Sequence, residues 1–131
     1  MGDLRYADVV EGVRATLAAY AHALDDGRVE DVVATFTADG VLVMGRGDDI
    51  VGTDALRAAY EGWLPQRPQR HVVVNTHVSE WSDTEAVATS DLLFLLKGDA
   101  GWAVQMVGRY ADALRCIDGR WRFQRRVATF A

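Results

Sequence analysis

The stretch Arg70-His71-Val72-Val73-Val74-Asn75-Thr76-His77 marks the point where the chain changes from helices to long strands. Its valine run, with polar residues inserted at intervals of two and prolines at 65 and 68 upstream, predicts a β-strand. Alternation predicts that one face of this strand carries His71, Val73, Asn75 and His77. The opposite face is apolar apart from Thr76. The face with the two histidines either meets water or lines a polar pocket.

Three more strands are predicted downstream of this stretch. Short turns separate them, including Ser82-Asp83-Thr84-Glu85 and the hairpin dipeptide Asp118-Gly119. With the first strand they predict an antiparallel meander over residues 70–80, 86–96, 102–116 and 120–130. Strands of this length imply a strongly curved sheet.

Upstream of the stretch, apolar residues recur at helical spacing. Helices are predicted over residues 6–24 and 29–36, and a third one begins at Gly52-Thr53-Asp54 and is stopped by Pro65. A short strand over 41–44 lies between the second and third helices. Helices gathered first and strands gathered after them predict an α+β fold, with one bent sheet wrapped around the helices and enclosing a small-molecule cavity.

Composition limits the classes of protein that this chain can represent. Its 131 residues predict a single domain over 1–131 with its own core. A net charge of -5 argues against a nucleic-acid-binding module, which would show a concentrated basic surface. The N-terminal residues lack a signal-peptide pattern, and no apolar run is long enough to span a membrane. We therefore expect a soluble, cytoplasmic protein that engages neither nucleic acid nor membrane.

Cysteine and histidine spacing argues against a metal centre. Cys116 is the only cysteine, so neither an internal disulfide nor a thiolate metal cage is possible. The three histidines show no HxH or HExxH spacing, and their expected positions diverge. We expect His22 and His77 to face solvent. No metal and no cofactor is predicted.

His71 is the strongest candidate for a general base, because imidazole exchanges protons near neutral pH. Such a base usually has a carboxylate that fixes its second nitrogen. Asp25, at the rim of the first helix, is the acid best placed to supply it, and Tyr20 borders the same helical stripe on the other side. The alternatives remain open: a solvent-facing or core histidine, a solvated turn aspartate and a core-edge tyrosine.

Three other polar residues are candidate ligand contacts. Asn75 lies further along the face of His71 and could offer a hydrogen bond deeper in the same cavity. Arg126 belongs to a row of arginines on one face of the last strand. Either this face is solvated or, if Arg126 points into the cavity, its guanidinium could bind an anionic or carbonyl oxygen of a ligand. Asp91 lies beside the apolar run Leu92–Leu96, where an interior acid needs a partner or a raised pKa.

Phosphate loops, nucleophile elbows and redox cysteine pairs do not occur in the sequence, so proton transfer remains the most plausible chemistry. At this point the chain resembles the SnoaL-like branch of the nuclear transport factor 2-like (NTF2-like) superfamily. The residues that carry the resemblance are Tyr20 to Gly27, Phe36 to Gly40, Gly52, Arg70-His71 with Asn75, Gly108 to Asp112, and Asp118-Gly119-Arg120-Trp121 through Arg126.

The resemblance implies a cone-shaped α+β barrel with one deep pocket for a small hydrophobic ligand. It also implies a homodimer or homotrimer formed through the open sheet face. Relatives include polyketide cyclases, isomerases and dehydratases, but also non-catalytic members, so the superfamily alone does not identify the reaction.

Dehydratase and dehydrochlorinase relatives are similar to this chain at Tyr20, Asp25, His71 and Arg126. The resemblance implies a His–Asp dyad that removes a proton beside a leaving group, with Tyr20 as a catalytic residue that assists the carbonyl or leaving group. We therefore predict a cofactor-independent lyase or isomerase acting on a small hydrophobic cyclic carbonyl compound. Asn75, Arg126 and Asp91 are the predicted substrate contacts. Two alternatives remain: a polyketide cyclase that works by intramolecular aldol closure, and a non-catalytic ligand-binding or assembly module.

Overall fold

The computed structural model describes residues 4–131 and has three helices and six strands there. Their bounds, in chain order, are α1 (Tyr6–Asp25), α2 (Val29–Ala34), β1 (Phe36–Val43), β2 (Ile50–Val51), α3 (Thr53–Glu61), β3 (Gln69–Trp81), β4 (Glu85–Gly98), β5 (Gly101–Ile117) and β6 (Arg120–Phe130). None of these helices is long and apolar enough to cross a membrane. The predicted α+β fold, with a curved sheet around three N-terminal helices, is confirmed.

All six strands belong to one mixed sheet, in the order β2-β1-β6-β5-β4-β3. The predicted meander is confirmed, since β3 to β6 pair with their sequence neighbours in antiparallel fashion. The pairing of β1 with β6 is parallel. It joins the helical half of the chain to the end of the meander and extends the sheet beyond the four strands of the meander.

The core lies between the concave face of this sheet and the helices. Helix α1 contributes a buried stripe that includes Val9, Val13, Leu17 and Tyr20. Their recurrence at intervals of three and four residues places them on one side of the helix. They pack against inward-facing residues of the sheet such as Leu114 and Phe123, which are at most 1% exposed.

The boundary between α2 and β1 differs from the prediction. Helix α2 ends at Ala34, and Phe36 already begins a strand that was expected only from residue 41. The dipeptide Asp39-Gly40, whose composition is typical of a turn, lies inside β1, where the register with β6 shifts between Phe36 and Val41. Pairing with the distant β6 therefore overrides the local turn signal of these two residues.

A second difference lies in β3 and changes which residues face the core. The register with β4 shifts between Val74 and His77, and Asn75 has a positive φ of 56°. This β-bulge reverses the alternation: Val73 packs on the core before it, and Val78, 3% exposed, does so after it. The predicted common face of His71, Val73, Asn75 and His77 is therefore wrong beyond Val73.

Candidate active site

His71 and Asp25 are in direct contact, although 46 positions separate them in the chain. The distance between His71 Nδ1 and Asp25 Oδ1 is 2.6 Å, and the backbone N–H of His71 donates to Asp25 Oδ2 over 2.8 Å. The side chains are 14% and 5% exposed, respectively. Two contacts to one carboxylate hold both the ring and the backbone of His71 in place.

The end of α1 places Asp25 at this position. Asp25 is the last residue of the helix, and the chain then reverses through Gly27, whose φ of 71° requires the left-handed region. The N–H of Arg28 donates to the carbonyl of Ala23 over 2.9 Å and closes the turn. A carboxylate at a helix C-terminus opposes the helix dipole, and its hydrogen bonds to β3 offset that cost.

The contact with Asp25 also determines which nitrogen of His71 can act as a base. Asp25 accepts hydrogen bonds, so the neutral ring places its proton on Nδ1 and leaves the Nε2 lone pair free. The ring packs against Phe94, with 4.7 Å between centroids. A positioned imidazole beside a carboxylate is the arrangement that general-base catalysis needs.

His71 lines a cavity of about 300 Å³ between the helices and the sheet. Tyr20, Tyr60, Gln69 and Tyr110 contribute its other polar groups. The remaining lining is apolar or aromatic and consists of Leu24, Leu42, Met44, Trp63, Leu92, Phe94, Met106, Ala128 and Phe130. Among residues 4–131, no Lys, Arg, Asp or Glu side chain lines this cavity, which favours ligands without a formal charge.

Tyr20 and Tyr60 form a pair of hydroxyl groups at the cavity, with 2.5 Å between their oxygens. The two residues are 4% and 2% exposed. Burial is the main cause that raises the pKa of each phenol, so both stay protonated at neutral pH. One hydroxyl donates to the other, which leaves one O–H of the pair available to a ligand oxygen.

An ion pair lies beneath these tyrosines and is wholly buried. Arg126 and Asp112 have side chains that are 0% exposed, with 3.1 Å between Arg126 Nε and Asp112 Oδ1. The alignment is not that of a hydrogen bond, and all three guanidinium nitrogens lack an acceptor within residues 4–131. Instead the guanidinium carbon lies 3.3 Å from the ring centroid of Tyr110 and 4.3 Å from that of Tyr20. Burial raises the pKa of Asp112 to about 6, although Arg126 acts in the opposite direction.

The structure brings three of the predicted site residues together: Tyr20 and His71 line the cavity, and Asp25 supports His71. Arg126 points inward and is not on a solvated face, which agrees with the second of the two alternatives for this residue. It lies under Tyr20 and Tyr110, however, and does not line the cavity. His22 and His77 are exposed, as expected.

The expected positions of Asn75 and Asp91 are wrong. Because of the β-bulge, the Asn75 amide turns away from the cavity and donates to Asp91 Oδ2 over 2.8 Å. Arg109 Nε donates to the other oxygen of Asp91 over 2.9 Å. The pKa of Asp91 is lowered, mainly by the hydrogen bond from Asn75 and next by the one from Arg109. An acid in an apolar interior would have a raised pKa instead. These three residues line an open groove on the outer face of the sheet.

Two residues of the site were missed as candidates. The predicted site residues include neither Tyr60 nor Gln69. Gln69 is 7% exposed and donates from Nε2 to Asp25 Oδ1 over 3.3 Å. Its spacing of two from His71 on a strand is the one signal that could have placed it on the same face. Within the described residues, no cluster of three metal-ligating side chains occurs.

A comparison with protein-family models matches residues 5–127 to a SnoaL-like domain. A comparison with curated proteins finds no significant match. Similar solved structures are numerous, and they support the fold independently of the family match.

A protein of Catenulispora acidiphila is 28% identical, with a TM-score of 0.84 over 95% of this chain and 92% of that one. A Nostoc punctiforme protein of unknown function, described as having a cystatin-like fold, is 25% identical, with a TM-score of 0.84 over 99% and 96%. An NTF2-like protein of Novosphingobium aromaticivorans is 18% identical, with a TM-score of 0.82 over 92% and 80%. These similarities confirm the NTF2-like fold.

Proposed function

Because the chain belongs to the SnoaL-like domain family, we propose that it is a cofactor-independent lyase or isomerase acting on a small hydrophobic cyclic carbonyl compound. The observation that carries this proposal is the part-buried His71–Asp25 contact at the wall of an apolar cavity of about 300 Å³. Such a cavity excludes water around a positioned base, which favours proton transfer.

In the proposed reaction, His71 Nε2 removes a proton from the carbon next to the substrate carbonyl. Asp25 holds the ring and stabilises the imidazolium that forms. The Tyr20–Tyr60 pair donates a hydrogen bond to the carbonyl oxygen as negative charge develops there. The electron pair then either expels a hydroxide from the neighbouring carbon, which takes a proton from His71 to leave as water, or accepts that proton at another carbon. The first course is a dehydration and the second an isomerisation.

A screen of hydrophobic cyclic ketones and hydroxy-ketones in D2O, followed by mass spectrometry, tests this proposal. We expect a hydroxy-ketone to lose the mass of water, or a ketone to gain deuterium beside its carbonyl, only with enzyme present. Heat-denatured protein is the control. If bound compounds are recovered without loss of water and without deuterium, the protein is a ligand-binding module instead. A linear polyketide that is converted to a product of unchanged mass but different chromatographic retention, as aldol closure to a ring requires, would identify a cyclase.

We also propose that a second copy of the chain covers the outer face of the sheet, in a homodimer or homotrimer. Val74, Val87 and Val107 on this face are between 37% and 47% exposed. Val74 and Val107 line the groove of about 660 Å³ that also holds Asn75, Asp91 and Arg109. Apolar side chains around a satisfied polar cluster are typical of a homo-oligomer interface.

Sedimentation velocity tests the proposed assembly. We expect the wild-type protein to sediment as a dimer or trimer at micromolar concentration, and Val107→Glu to shift it toward the monomer, because a charge would be buried at the interface. Val51→Glu is the matched control, since Val51 is 58% exposed on β2, away from the groove. A monomeric wild-type protein would contradict the proposal.

A further inference from the structure

We infer that Gln69 is a specificity-determining residue, whose side-chain carbonyl accepts a hydrogen bond from a hydroxyl group of the ligand while its amide group holds Asp25. This inference rests on the proposed function, and it narrows the substrate class to cyclic ketones that carry a free hydroxyl group. Gln69 begins β3, two residues before His71, and lines the same cavity.

The orientation of the Gln69 amide follows from its neighbour. Asp25 Oδ1 is 3.3 Å from the Gln69 amide and is already the partner of His71 Nδ1. A carboxylate only accepts hydrogen bonds, so the end of Gln69 that faces it must be the NH2 group. The carbonyl oxygen Oε1 is therefore the end that points away from Asp25.

Gln69 Oε1 forms no hydrogen bond within the described part of the chain, yet it is not among the fully buried atoms that lack a partner. The residue as a whole is only 7% exposed and lines the cavity. Its remaining open surface therefore faces the cavity, where a ligand that excludes water must either satisfy the acceptor or leave it unpaired.

Gln69 Oε1 differs from the other polar groups of the cavity, because it only accepts hydrogen bonds and has no other task there. The tyrosine hydroxyls also donate, and the proposed base His71 must keep its Nε2 lone pair for the reacting carbon. A ligand hydroxyl near the base thus finds its acceptor in Gln69. Because the Gln69 amide also contacts Asp25, this hydrogen bond places the ligand relative to the dyad.

Equilibrium binding of two matched probes tests the inference, with Trp63 at the cavity as a fluorescent reporter. The probes are a hydroxyindanone and the methoxyindanone that carries a methyl group on the same oxygen. We expect the wild-type protein to bind the hydroxyindanone about 5- to 10-fold more tightly, the value of one hydrogen bond. Gln69→Met, which has a similar length but no acceptor, should bind the two probes equally. The matched control Gln66→Met, at an exposed glutamine, should retain the preference.

The outcomes separate this inference from the proposed function. Equal binding of both probes to the wild-type protein, or failure to bind either, overturns the inference before any variant is made. A preference that survives in Gln69→Met also overturns it. If the preference is present and depends on Gln69, but neither probe is dehydrated or deuterated in D2O, the binding inference stands and the proposed catalysis fails.

Discussion

His71→Ala and Asp25→Asn should each reduce kcat/KM on an identified substrate by about 10²–10⁴-fold, the usual contribution of a positioned general base. His71→Ala removes the base itself. Asp25→Asn keeps the shape of the side chain, but an amide can donate to His71 Nδ1, which would favour the tautomer whose proton blocks Nε2. Steady-state kinetics with the substrate found in the screen measure both effects.

The double variant distinguishes a dyad from two independent residues. If Asp25 acts only through His71, the double variant should be no slower than His71→Ala alone, because residues that act as a unit are not additive. His77→Ala, on the exposed side of the same strand, is the matched control and should retain full activity. Unchanged turnover in both single variants would rule out the dyad mechanism.

Long elements were predictable from the sequence because their signals are local. The apolar stripe of α1 and the alternation of β3 to β6 each lie within one segment, and the predicted bounds are close to the observed ones. The start of β1 was not predictable in this way. Asp39-Gly40 has the composition of a turn, and only its parallel pairing with β6, more than eighty positions away, makes the segment a strand.

The site shows the same division between local and distant causes. His71 could be chosen by its chemistry and Asp25 by its position at the rim of the first helix, but no spacing rule predicts a contact across 46 positions. The resemblance to dehydratase relatives supported the pairing. The bulge at Asn75 has no clear local signal, since Val-Asn-Thr reads as a regular strand and asparagine merely tolerates a positive φ. That single backbone reversal moved Asn75 to the outer face, whereas Tyr60 and Gln69 entered the site through tertiary packing.

Arg126→Met should lower the free energy of unfolding by about 3–5 kcal/mol, because it leaves the Asp112 carboxylate buried without its cation. The variant also loses the contacts of the guanidinium with the faces of Tyr110 and Tyr20. Denaturant unfolding followed by tryptophan fluorescence measures the change. Arg125→Met is the matched control, since Arg125 pairs with Asp49 on the surface with a side chain that is 50% exposed, and exposed pairs contribute little.

The double variant Arg126→Met/Asp112→Leu should be more stable than Arg126→Met, because it leaves neither charge unpaired in the core. An Arg126→Met protein as stable as the wild type would show that the buried pair contributes nothing to stability. The pair would then have to be explained by the arrangement of the tyrosines alone.

Acidification provides the last test of this buried pair. Burial raises the pKa of Asp112 to about 6 in the folded protein, from 3.8 as the ordinary value, so the folded state binds this proton more tightly than the unfolded state. The resulting stabilisation is fully present below pH 4 and is lost as pH rises through 6. The free energy of unfolding should therefore increase from pH 7 to pH 5, and Asp112→Asn, which cannot titrate, should show a flatter profile. Arg126→Met leaves Asp112 without its cation, so the free energy of unfolding that this variant loses relative to the wild type should become smaller on acidification, as the carboxyl group becomes neutral. A loss that does not depend on pH would mean that Asp112 is not the source of the instability.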